Sequence, residues 1–298
     1  MDSKQPSSLD FTSLLHELTL KKWVKSILSE DWHGAAVASG KMAESSERFW
    51  NWLGLVNLSV TRLYRGEGAA SLSLLEQAAQ AYPDSDALCS SARATAAHVL
   101  LETGRPKEAL EQARLAAMTE ATLPHQEALF YLGLAKAKLG ESSDAEHTAE
   151  ELRRRSGATG LNSELARFHL LKGELALAGG RRSEAREDLQ RAEAALPAQT
   201  TEIPSQSLHV PVWYSRASCD LEAGDFGAAA DGFERIVTSF SLHVDWPILY
   251  VRSFYWLGQI REKLSDDDRA RVNYRRFVEF WKEGDLDRRW VQEAESKA

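Results

Sequence analysis

The chain has little of what would cross-link it, anchor it in a membrane or draw it to nucleic acid. Its 298 residues include only two cysteines, Cys89 and Cys219, far apart in the sequence. Both fall in expected helices and read as buried thiols rather than a disulfide, which fits a reducing, cytoplasmic setting. No run of ~18 apolar residues occurs, so no membrane-spanning helix is encoded. The opening MDSKQPSSLDF lacks the apolar stretch of a secretory signal. Basic charge is also short, with 36 Lys and Arg against 44 Asp and Glu, a formal net charge of −8. Phosphate contacts need a basic surface, so nucleic acid is not an expected partner. The clusters Arg153, Arg154, Arg155 and Arg181, Arg182 flank turns, where solvated charge is ordinary.

Catalytic signatures are missing as well. There is no GxxxxGK[ST], no GxGxxG after a strand, no GxSxG and no HExxH. The eight histidines are scattered along the chain, and none pairs with a cysteine at metal-ligand spacing. His98 and His169 lie on helices that could face a groove, although packing is the simpler role for both. Asp266, Asp267 and Asp268 lack the following glycine and the distal glutamate of a calcium loop. They suit a helix N-cap with favourable negative charge instead. The expectation is a protein that is not an enzyme and takes no cofactor or metal.

What is present is a repeat. In EALFYLGLAKAKLGESSDAEHTAEEL, residues 127–152, Leu129, Leu132, Gly133 and Lys136 share one helical face. Gly140 then breaks the helix, and Ala145, Ala149 and Leu152 carry the inner face of a second. The step from turn glycine to a small residue five positions on recurs at Gly104/Ala109, Gly180/Ala185 and Gly224/Ala229. Weaker copies run Gly66/Ser71 and Ser265/Ala270. Seven positions before each turn stands a small residue: Ser59, Ala97, Gly133, Gly173, Ala217 and Gly258. Small residues at both places let two antiparallel helices approach closely, so the pattern predicts stacked helix hairpins.

This pattern resembles the tetratricopeptide repeat over roughly residues 46–283. It departs from the family in period, because successive turns lie 36 to 44 residues apart rather than the usual ~34. Longer helices or connections must absorb the excess. The resemblance implies an all-α, right-handed α-solenoid of antiparallel helix pairs with a concave groove that binds proteins or peptides. A narrower likeness enters at WPILYVRSFYWLGQIREKLSDDDRARVNYRRFVEFWKEGDLDR, which is similar to the C-terminal repeats of certain bacterial signalling proteins. In those, the repeats follow a serine/threonine kinase or a winged-helix module. No His-Arg-Asp or Asp-Phe-Gly motif occurs here, so kinase activity does not carry over.

The domain expectation is a disordered stretch at 1–9, a worn helical repeat at 10–45 with Trp32 at its turn, repeats over 46–283, and a capping helix over 284–298. PAQTTEIPSQSLHVP, residues 197–211, is the longest aperiodic stretch and a candidate lid or partner contact. In the implied superhelix the first helix of each pair lines the concave face. Groove positions then fall at Phe130, Leu134, Lys138, Leu170, Glu174, Tyr214, Ser218, Glu222, Arg252, Tyr255, Gln259 and Lys263. Rigid aromatics flanked by both charge signs are what a peptide groove uses. The family's clamp of basic and amide side chains on a terminal carboxylate is not matched. All nine tryptophans lie before position 53 or after 212. Core packing is their first reading, and an end-to-end homodimer through two tryptophan-rich ends the second.

Overall fold

A computed structural model describes residues 8–81, 86–119, 122–159, 162–197 and 207–298. These residues form fifteen helices and no strand: α1 Ser8–Leu28, α2 Trp32–Ala43, α3 Arg48–Tyr64, α4 Gly68–Ala81, α5 Asp86–Glu102, α6 Pro106–Ala116, α7 Thr122–Lys138, α8 Ser142–Thr159, α9 Asn162–Ala178, α10 Arg182–Ala194, α11 His209–Glu222, α12 Phe226–Val237, α13 Pro247–Lys263, α14 Asp267–Trp281 and α15 Arg288–Lys297. Consecutive helices pack in pairs and each pair packs on the next, which makes an α-solenoid of hairpins.

Every hairpin turns in the same way. The turn residue is left-handed at Glu30, Gly66, Gly104, Gly140, Gly180, Gly224 and Ser265. At Gly104 the following residue, Arg105, donates its N–H to the Leu100 carbonyl at 2.8 Å, and Gly104 donates to Leu101 at 3.1 Å. The same two bonds recur at the other six turns, and they satisfy carbonyls that a helix end leaves open. Glycine reaches this conformation without the steric cost a Cβ imposes. The first turn lies at Glu30 rather than at Trp32, because Asp31 caps α2 by accepting from the Gly34 N–H at 2.8 Å.

The small residue five positions after each turn is where paired helices touch. Ala35, Ser71, Ala109, Ala145, Ala185, Ala229 and Ala270 are all buried. Ser71 shares a hydrogen bond with Ser59 at 2.8 Å. At Gly258 a Cβ would stand 2.6 Å from the Tyr274 ring, so the α13–α14 contact needs a residue without a side chain. The long period is taken up largely by the first helices: α3, α5, α7, α9 and α13 each run 17 residues. Helix α11 starts at His209, a turn earlier than its periodicity indicates. The expected disordered end lies mostly outside the described residues, as does most of the expected lid at 198–206.

The stack also closes on itself. Tyr64, at the end of α3, donates its hydroxyl to the His243 carbonyl at 2.8 Å. Trp281 Nε1 donates to the Leu63 carbonyl at 3.0 Å. Beyond α14, the Asp285 and Leu286 N–H groups both reach the Gly66 carbonyl, at 2.8 and 3.0 Å. The Asp285 carboxylate in turn accepts from Gly68 and Ala69, at 2.6 and 3.0 Å, and so caps the N-terminus of α4. Trp32 stacks on Tyr64 with ring centres 5.1 Å apart and leans on Phe280 at 5.6 Å. The tryptophan-bearing ends therefore meet within one chain.

Candidate functional site

Closure turns the concave face into a cavity. Its walls come from the inner faces of α5, α7, α9, α11 and α13, with Trp246 and Pro211 contributed at the starts of the last two hairpins, and its volume is about 350 Å³. Of the twelve positions expected in a groove, Phe130, Leu134, Lys138, Leu170, Glu174, Tyr214, Ser218, Glu222 and Arg252 line this cavity. Tyr255, Gln259 and Lys263 do not. Tyr255 stacks on Trp290 of α15 with ring centres 4.8 Å apart, and it donates to Glu293 at 2.9 Å. Gln259 donates to the same carboxylate at 2.7 Å. Lys263 is exposed at the end of α13. Helix α15 thus covers the face on which Tyr255 and Gln259 stand.

The apolar part of the lining is Leu101, Phe130, Leu134, Leu170, Leu177 and Leu249. Its polar part includes Glu102, Lys138, Glu174, Ser218, Glu222 and Arg252. Arg252 is buried and gripped from two sides, with Nε 2.6 Å from the Asp287 carboxylate and Nη2 2.7 Å from the Glu102 carbonyl. A further bond joins it to the Glu102 carboxylate. Burial alone would lower the Arg252 pKa, but Glu102 and Asp287 together hold it above its ordinary value. Tyr214 accepts a hydrogen bond from Trp256 Nε1 at 2.9 Å, and burial pushes its pKa up. Burial also raises the Glu174 carboxyl, against the opposing hydrogen bond from Ser215 and the charge of Lys138. Glu222 lies 3.7 Å from Arg182 at the solvent side.

The cavity also takes residues that the repeat pattern did not mark. His98 lines it beside Tyr131 and Trp246, each with ring centre 5.5 Å away, and burial lowers its pKa. Its Nε2 atom is buried with no hydrogen-bond partner among the described residues. His169 is instead paired with Asp188 on α10 at 2.9 Å. Glu102 is placed by the last turn of α5, an alanine-rich helix whose groove-facing side is hard to read from sequence. Trp246, whose Nε1 donates to the Ser207 carbonyl at 2.7 Å, belongs to an aperiodic connection. Among the described residues, no group of three or more His, Cys, Asp or Glu could hold a metal ion. No described helix is long and apolar enough to cross a membrane.

Comparison with known families decides the class of fold. The tetratricopeptide repeat family matches residues 252–281, the α13–α14 hairpin. This is a tetratricopeptide-type solenoid. A tetratricopeptide repeat protein from Parabacteroides merdae is 16% identical, with 95% of this chain and 98% of that one aligned at a TM-score of 0.51. A Rap protein, solved in complex with competence and sporulation factor, is 10% identical, with 100% and 88% of the two chains covered and a TM-score of 0.56. A signal-transduction ATPase with a tetratricopeptide repeat sensor, from Pyrococcus horikoshii, is 10% identical at a TM-score of 0.53, with 91% of this chain and 41% of that one covered. At these identities the tetratricopeptide-type likeness is one of fold. No curated protein matches the chain by sequence.

Proposed function

We propose that this tetratricopeptide-type chain is a non-catalytic scaffold that binds a protein or peptide segment in its central cavity. The supporting observation is the composition of that cavity. Five first helices converge on it, and its lining combines aliphatic and aromatic residues with Glu174, Ser218, Glu222 and the exposed Lys138. A volume of about 350 Å³ suits one or two side chains of a bound segment rather than a folded domain. Arg252 is already neutralised by Glu102 and Asp287 in a buried setting, whereas the contact of Glu222 with Arg182 is solvent-exposed and weak. In this reading the carboxylates of Glu174 and Glu222 therefore set the preference. The favoured segment places an apolar side chain against Leu134 and Leu170 and a basic group opposite those two glutamates. The Rap protein that shares this fold was solved with a bound factor, and an equivalent mode of use is part of this reading. A regulatory repeat region serving a bacterial kinase or winged-helix output module is the alternative. It is in keeping with the likeness to a repeat sensor.

The test is selection of displayed random peptides on the parent protein and on Ser218→Trp, whose indole would fill the cavity. The expected outcome is enrichment of peptides with an apolar residue beside Lys or Arg on the parent, and its loss on the variant. Equal enrichment on both proteins would move binding off the cavity. Circular dichroism on both proteins checks that the variant remains folded.

A further inference from the structure

A second surface stands apart from the cavity. Helix α1 packs mainly on α2, through the buried Trp23, Ser26 and Ile27. Its other side carries Leu14, Leu15 and Leu18, each more than half exposed. Further along, Leu20, Val24 and Leu28 recur at four-residue spacing and form the floor of an open groove of about 460 Å³. Phe240, 79% exposed in the link before α13, forms its far ledge. An aromatic ring so exposed, beside a half-buried aliphatic row, loses free energy to water and gains by being covered.

Charge identifies what covers it. Lys21 and Lys25 line this groove and Lys22 stands on the same helix, all three exposed. None of them has an ion-pair partner among the described residues, although Glu17 lies one turn from Lys21. Several cations elsewhere are engaged, among them Arg235, Arg252, Arg261, Arg276 and Lys297, which each meet a carboxylate. In a chain of net charge −8, an apolar groove edged by unpaired lysines is a local reversal of sign. We propose that this face of α1, with Phe240 as its ledge, docks an acidic amphipathic helix of a partner protein. The partner's apolar stripe lies along Leu20, Val24 and Leu28, and its flanking carboxylates reach Lys21 and Lys25. This site is independent of the central cavity.

The test uses two fluorescein-labelled synthetic helices of about 18 residues, with leucines along one face and either glutamates or lysines on the flanks. Fluorescence anisotropy should show the glutamate peptide binding the parent at least about tenfold tighter than the lysine peptide, with affinity falling as salt rises. Lys21→Glu/Lys25→Glu should reverse the preference. Val24→Ser/Phe240→Ala should weaken binding by about tenfold, and Ser218→Trp should leave it unchanged. Equal binding of the two peptides, or none, would overturn the proposal. So would light scattering that shows a dimer broken by Val24→Ser/Phe240→Ala, because the occupant would then be a second copy.

Discussion

Gly284 is the point at which closure can be tested with one methyl group. An alanine Cβ there would stand 2.4 Å from the Gly66 carbonyl oxygen and 2.7 Å from that of Arg65. Both obstacles are backbone atoms, so no side-chain rotation relieves the clash, and the link between α14 and α15 must lift away from the α3–α4 turn. That link carries two backbone bonds to Gly66 and the two bonds with which Asp285 caps α4. At about 1 kcal/mol net for each bond, losing two to four of them costs roughly 2–4 kcal/mol. For a chain of this size each kcal/mol lowers Tm by about 2–4 °C, so Gly284→Ala should melt roughly 4–16 °C below the parent. Small-angle scattering should also show a larger radius of gyration as the ring opens. Gly40→Ala is the control: its Cβ would meet nothing within 4 Å, and removing a helical glycine is expected to be neutral or to stabilise by up to about 1 kcal/mol. If Gly284→Ala matches the parent in both melting and scattering, the link does not hold the ring and the reasoning fails.

Two further perturbations probe the same region. His243 stacks on Tyr250, donates through Nδ1 to the Ser239 carbonyl at 2.7 Å, and is lowered by burial from 6.5 to about 4. The unfolded chain therefore binds this proton more readily, and the stability His243 allows at neutral pH falls as pH drops through 6.5 towards 4, by up to about 3 kcal/mol. Urea midpoints at pH 7.5 and 5 should separate by less in His243→Asn than in the parent. An equal separation would assign the acid sensitivity to other groups. Arg252→Met leaves the Glu102 and Asp287 carboxylates facing each other without a cation, at a cost of about 3–5 kcal/mol. Adding Glu102→Leu should recover part of that loss in thermal melts. No recovery would mean that the pair is not coupled through Arg252.

The hairpins were legible because their determinants are local. A left-handed turn favours glycine, and a small residue five positions later must admit the partner helix. Ser265 was found by spacing alone, whereas Glu30 was missed because glutamate carries no turn signal. The nine cavity-lining positions follow from helical register within each first helix. Tyr255 and Gln259 keep the same register, yet α15 packs over them, and nothing in the repeat specifies where a terminal helix will lie. Closure was not legible at all. The pairing of Leu63 with Trp281 joins residues far apart in sequence, and no local pattern encodes it. One tryptophan from each end of the sequence, Trp32 and Trp281, stands at the junction, but their spacing in the sequence does not announce it.

A closed stack obeys a different statistical mechanics from an open one. In a linear array of repeats each end has one neighbour, so unfolding starts there and travels inward. Here the α3–α4 hairpin has a neighbour beyond the two that its place in the row supplies: besides α2 and α5 it meets α13 and Trp281 of α14. Breaking any single interface leaves an intact arc whose ends are still tethered through the remainder, and separation needs a second rupture. The same geometry removes a freedom that open solenoids have. A hairpin deleted from the middle would part the Gly66 turn from Gly284, and one inserted would push them past each other. The number of repeats in this protein is therefore set by circumference, much as the number of staves is set in a barrel.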